Sequence, residues 1–233
     1  MQYRNALRAL LSPTEAKVFA KLNTPQKIQS FLEALPQHFV RGGEVMLSPS
    51  GVVAKKTAHC MEGAVFAAAA LAYHGQLPLL LDLQTPEDDD DHVLALFSVQ
   101  DRSASGGKPK KLWGAISKTN HPVLRYRDPV YQSVRELAMS YFHEYFLWSE
   151  HGRRVSGKKT LRAYSKPFDL SRYKPELWVV ADSIDWLADP LDESPHSPAI
   201  SRQAVKHLRD ATTIETKMME ASEWSRTGKK LFN

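Results

Sequence analysis

The chain has 233 residues, 42% of them hydrophobic and 24% charged, with a formal net charge of +5, the composition of a soluble globular protein with a sizeable core. Its single cysteine excludes an internal disulfide framework and a zinc site built from several thiolates, and fits a reducing compartment. No metal or cofactor is indicated, and no nucleic-acid motif accompanies the basic charge, which permits only loose attraction to polyanions.

The first clear element begins at Ser12-Pro13-Thr14-Glu15. Ser12 suits the cap, Pro13 the first helical position and Glu15 the reciprocal partner of a capping box, so a helix is predicted to run to Leu22. A second helix follows the same grammar, with Thr24 capping, Pro25 opening, and Ile28, Phe31, Leu32 and Leu35 forming an apolar stripe before Pro36. Residues 37–56 are rich in Gly, Ser and Pro and are expected to be loops.

Thr57 to Tyr73, T-A-H-C-M-E-G-A-V-F-A-A-A-A-L-A-Y, reads as a buried alanine-rich helix. Thr57 is the expected cap, Glu62 suits the positive end of the helix dipole, and Gly75 supplies the stop. Cys60 then lies in the first turn, where unpaired N–H groups favour an anion. A thiol there loses its proton more easily than usual, and the same groups can hold an oxyanion.

Three strands are predicted next: Leu77 to Leu83, His92 to Val99 and Leu112 to Lys118. An acidic turn containing Asp88 to Asp91 separates the first two, and a basic glycine-containing loop separates the others. Asp88 to Asp91 could bind a cation, but four carboxylates in a row are more often a solvated turn, which is the reading preferred; folded near His92, they would favour the protonated imidazole. R-Y-R-D-P-V-Y is expected to be extended, and Val134 to Ser149 helical, with Leu137, Tyr141, Tyr145 and Trp148 as an aromatic core stripe. His151 to Arg162 holds six basic residues and reads as an exposed loop. Leu177 to Ala181 is predicted as a strand, Asp182 to Asp189 as a short helix, and Ser201 to Thr227 as a polar helix.

The fold class expected is α+β, an antiparallel sheet packed on a central helix that starts at the cysteine. No internal repeat or linker divides the chain, so residues 1–233 are expected to form one domain, with N-terminal helices at 12–36 and a helical C-terminal extension at 134–233. No stretch approaches the about 20 apolar residues of a membrane span, and the N-terminus has no signal-peptide run, so a cytoplasmic location is expected.

A helix-borne Cys60, a histidine opening the second following strand, His92, and the W-G-A-I-S-K-T-N segment from Trp113 together resemble the transglutaminase-like branch of the papain-like cysteine enzymes. The resemblance covers about residues 55–122. It implies a cofactor-free thiol enzyme that transfers or hydrolyses the acyl group of an amide-type substrate, a peptide or protein. Where the family places its Asp, four residues after Trp113, this chain has Ser117. Ser117 can accept a hydrogen bond from an imidazole, and Asn120 offers an amide for the same task; Asn120 is the first choice and Ser117 the second, with Asp128 more remote. His59, adjacent to Cys60, is expected to be structural or a pocket wall. The alternative reading is a non-catalytic binding module on the same fold, binding through Arg153, Arg154, Lys158 and Lys159. Arylamine-type acyl transfer would need an acyl donor for which no phosphate-binding glycine loop speaks.

Overall fold

The computed structural model describes residues 2–39, 44–102, 109–148 and 155–232. Two short helices follow the cap-and-proline grammar: α2 (Pro13–Lys21) with Ser12 and Glu15 in a reciprocal capping box, and α3 (Pro25–Ala34) with the Thr24 hydroxyl accepting from Lys27 N–H. They are preceded by α1 (Gln2–Leu10). Between residues 37 and 56 the chain is not all loop. Ser48 caps and Pro49 opens α4 (Pro49–Lys55), the same signal a third time.

Helix α5 (Cys60–Tyr73) is the centre of the molecule: every residue from Met61 to Ala72 is buried. Its cap is His59 and not Thr57; the His59 ring Nδ1 accepts from Met61 N–H at 3.2 Å, while the Thr57 hydroxyl donates to the Pro36 carbonyl. Gly75, at φ +95°, follows the last turn, a backbone conformation that side chains disfavour and that ends helices.

The main sheet is antiparallel throughout, ordered β4 (Arg127–Tyr131), β3 (Lys110–Ile116), β2 (His92–Asp101), β1 (Leu79–Gln84), β7 (Ala163–Ser165) and β9 (His196–Pro198), with β8 (Phe168–Asp169) also pairing with β1. One face turns Leu80, Ala95, Phe97 and Ile116 toward α5. The other packs Leu81, Leu83, Leu94 and Leu96 against Leu137, Tyr141, Tyr145 and Phe146. A sheet covered on both faces explains why β1 reads as an unbroken leucine run.

The architecture is therefore α+β, with the sheet lying on the helix that starts at Cys60, but the C-terminal region is not a helical extension. It contributes β7, β8 and β9 to the main sheet and a separate ribbon of β5 (Phe146–Trp148) and β6 (Val155–Lys159). The helix expected over 134–149 stops early: α6 spans Val134–Met139, a 3-10 turn follows at Phe142–Glu144, and β5 begins at Phe146. Tertiary bonds override the helical period here, because the Tyr141 hydroxyl donates to the Arg125 carbonyl and the Tyr145 hydroxyl to the Asp90 carbonyl. Residues 177–181 form no strand; Pro175–Leu177 is a 3-10 turn and Trp178 and Val179 are buried against α5's side of the core. The short helix expected over 182–189 runs instead as a 3-10 turn at Asp185–Leu187 and then α7 (Ala188–Asp192), which contains Pro190 in its first turn, where no backbone donor is required. The polar helix of 201–227 is two pieces, α8 (Arg202–Val205) and α9 (Thr213–Glu220). Among the described residues, no helix is long and apolar enough to cross a membrane.

Gly63 sets how closely α5 approaches the end of β3. A Cβ there would stand 2.3 Å from Lys118 Cβ, an overlap at the base of a side chain that cannot swing aside. Gly63→Ala gains about 0.5–1 kcal/mol of helix propensity but forces a shift worth about 1–3 kcal/mol. Urea unfolding should show a net loss of stability; a variant more stable than the parent would refute this close contact.

Candidate active site

Cys60 is the first residue of α5, and its position is held by a buried carboxylate two residues along. Glu62 is fully buried and accepts from His59 N–H at 2.8 Å, Leu47 N–H at 2.7 Å and His38 Nδ1 at 2.8 Å. It thereby ties the helix start to His38 and Leu47. Cys60 itself is half-buried and free.

His92 is the first residue of β2, paired opposite Leu83 of β1, so its side chain alternates onto the face away from α5. Cys60 and His92 nevertheless line one cavity of about 200 Å³, open at the end of the strands. Its walls include Lys118, Asn120, His121 and Tyr145, together with Asp89 to Asp91. The backbone N–H groups of Met61 and Val93 point at the Cys60 sulfur. No hydrogen bond joins Cys60 to His92; among the described residues, the side-chain neighbour of the sulfur at hydrogen-bonding range is His59 Nδ1, at 4.0 Å.

The two candidates for the third residue separate cleanly. The Ser117 hydroxyl lies 2.8 Å from His92 Nε2 and donates its proton to the Leu124 carbonyl at 2.6 Å. With that one proton committed, Ser117 accepts from His92, which fixes the Nε2–H tautomer and leaves Nδ1 to take a proton. Asn120 does not orient His92. Its amide donates to the Trp224 carbonyl at 2.8 Å and accepts from Trp224 N–H at 2.7 Å, so it fastens the C-terminal segment to the cavity wall. Asp128 lies within β4, outside this cavity's lining. His59 is structural, as the helix cap.

Electrostatics departs from the sequence-based expectation at both Cys60 and His92. Burial pushes the Cys60 thiol up to about 11, against the two N–H groups that favour the thiolate. Burial pushes His92 down to about 4, with the Leu124 carbonyl opposing and the charges of His121 and Arg127 adding. The acidic turn does not favour a protonated His92: none of its carboxylates is among the charges that act on the ring, and three of them are bound elsewhere, Asp89 accepting from Thr160 at 2.5 Å, Asp91 from Thr85 N–H at 2.7 Å, and Asp88 pairing with Lys158 at 3.3 Å. The resting pair is a neutral thiol and a neutral imidazole.

Two residues of the site were not singled out from the sequence. Lys118 is buried, donates to the Leu35 carbonyl at 2.7 Å, and is held down to about 8 by burial. Tyr145 closes the cavity from the opposite face of the sheet. Of the basic cluster, Arg153 and Arg154 lie outside the described residues; Lys158 is exposed and Lys159 donates to the Arg209 carbonyl at 2.7 Å. No family model matches the sequence, and no curated protein matches it either.

The depressed His92 pKa makes stability depend on pH. Between the ordinary 6.5 and about 4 the unfolded chain binds a proton there that the folded chain refuses, so stability falls as pH drops through this window, by about 3 kcal/mol at its full extent. His59 and His121, also lowered chiefly by burial, act in the same sense. Asp82, raised to about 6 chiefly by burial, acts in the opposite sense, since the folded chain takes its proton first. The comparison of wild type with His92→Gln isolates the histidine: between pH 7 and pH 4 the wild type should lose about 2–3 kcal/mol more in urea unfolding, and equal losses would contradict the burial of a neutral ring.

Proposed function

We propose that the protein is a cysteine-dependent acyl-transfer enzyme of the transglutaminase-like, papain-like kind, acting on an amide of a peptide or protein. The observation that carries this reading is the Ser117 hydrogen bond to His92 Nε2 within a cavity that Cys60 also lines. A histidine held in that tautomer, lining the same cavity as the chain's only thiol, is equipped for general-base and then general-acid work. The unpaired cysteine also fits a reducing, cytoplasmic setting.

In the reaction so read, the Cys60 sulfur attacks the substrate carbonyl while its proton passes to His92 Nδ1. Charge separation accompanies bond formation because the resting pair is neutral. The Met61 and Val93 N–H groups offset negative charge at the sulfur. The imidazolium then protonates the leaving amine as the C–N bond breaks, leaving a thioester on Cys60, and water or a second amine releases the acyl group. Ser117 is a positioning residue, acting through the ring that it holds.

A second reading, a non-catalytic binding module on the same fold, is favoured by two observations: no hydrogen bond links Cys60 to His92, and burial disfavours charge on both.

p-Nitrophenyl acetate, an activated acyl donor, separates the two. On the enzymatic reading, intact-mass and peptide analysis finds an acetyl adduct on Cys60, with acylation slowed about 100-fold or more in His92→Ala and to a smaller extent in Ser117→Ala, whose pH profile also shifts. Acylation no faster than that of the urea-unfolded chain and indifferent to His92→Ala would leave the binding module.

A further inference from the structure

Next to the cysteine cavity, whose wall includes Asp91, the chain gathers three carboxylates from three separate segments. Asp82 comes from β1, Asp91 from the turn immediately before β2, and Asp192 from the last position of α7; one ligating oxygen from each lies within 4.8 Å of the others. Like charges this close repel unless something neutralises them. Among the described residues no lysine or arginine forms an ion pair with any of the three; the His196 ring stands beside Asp82, its Nε2 3.1 Å from Oδ2.

Asp82 adds an independent observation. Its side chain is 1% exposed, and its Oδ1 is buried with no hydrogen-bond donor. An unpartnered carboxylate oxygen in the protein interior is costly, and this one belongs to the group that faces the other two acids. Its neighbours are also held in place. Asp91 Oδ1 accepts from Thr85 N–H at 2.7 Å and from the Thr85 hydroxyl at 2.9 Å, which orients the carboxylate. His196 Nδ1 donates to the Ser194 carbonyl at 2.6 Å, which orients the ring that touches Asp82.

We infer that Asp82, Asp91 and Asp192 form a binding site for one hard divalent cation of calcium size, with His196 as an outer partner of Asp82. An all-carboxylate set selects hard cations over zinc or copper. Calcium–oxygen distances of about 2.3–2.6 Å allow two oxygens on one ion to stand up to about 5 Å apart, so three oxygens within 4.8 Å of one another can share one ion, whereas magnesium demands near-ideal octahedral geometry and keeps several waters, which suits a site of protein carboxylates less well. Bound there, the ion ties α7 to β1 and to the start of β2. The inference is independent of the chemistry proposed for Cys60.

Calorimetric titration of the full chain with CaCl2, and separately with MgCl2, at constant ionic strength provides the test. Calcium should bind at one site, magnesium about tenfold or more weakly, and Asp192→Asn should weaken calcium binding about tenfold or more. Asp192 lies at the end of a short surface helix, so an unchanged thermal melt of the calcium-free variant establishes that it is folded; Asp91→Asn gives a second route to the same loss. Asp128→Asn, a carboxylate outside the cluster, should leave calcium affinity unchanged. Absence of calcium binding at millimolar concentration, equal affinity for magnesium, or calcium affinity indifferent to Asp192→Asn and Asp91→Asn would overturn the assignment.

Discussion

The carboxylate of Glu62 governs where everything else in the site stands. It is fully buried and accepts from the backbone of its own helix cap, from the Leu47 backbone and from the His38 ring. Removal of a buried acceptor with three donors leaves those donors unpaired, at about 1–3 kcal/mol for each buried group. A helix of alanines has few side-chain features by which to define its rotation and depth. Glu62 supplies them, and Cys60, two residues away, inherits a defined position at the end of the sheet. Gly63 completes the arrangement by letting the helix touch Lys118, the neighbour of Ser117.

Two physical tendencies oppose each other at Cys60. The helix start and two backbone N–H groups favour a thiolate, while the depth of the site favours the uncharged thiol, and burial is the larger effect. The same depth suppresses charge on His92. A pair that rests neutral is protected from indiscriminate alkylation and oxidation, since the thiolate is the reactive form. On the acyl-transfer reading proposed above, it also shifts the burden of creating charge to the moment at which a substrate carbonyl is present. The hydrogen bond from His92 to Ser117, a neutral hydroxyl and not a carboxylate, suits this setting: an acid at position 117 would draw the ring toward imidazolium, and a serine does not.

Much of the frame is legible in the chain. Ser12-Pro13 and Thr24-Pro25 mark helix starts by mechanism, and Ser48-Pro49 carries the same mark inside a stretch whose glycines and serines suggest only loop. The strands from Leu79 and His92 are legible because continuous burial on two faces leaves an apolar run. The aromatic spacing from Leu137 to Trp148 is helical in period but is overridden by hydrogen bonds from Tyr141 and Tyr145 to distant carbonyls, which no local pattern encodes. The choice between Ser117 and Asn120 depends on where Trp224 lies, about a hundred residues away in the chain, and only the assembled structure decides it. Asp82 is an intermediate case: an aspartate inside a leucine run is visible as an anomaly, while its partners, Asp91 and Asp192, become neighbours only through the fold.

The account rests on the state of one ring, a His92 held by Ser117 with its proton on Nε2 and its Nδ1 bare. Heteronuclear NMR of the histidine ring nitrogens, assigned by comparison with His92→Gln, reads that state directly. The account predicts an Nε2–H tautomer that stays neutral as pH is lowered until about 4, and that loses its fixed tautomer in Ser117→Ala. An Nδ1–H tautomer, or a ring that titrates near the ordinary 6.5 of an exposed histidine, would contradict it.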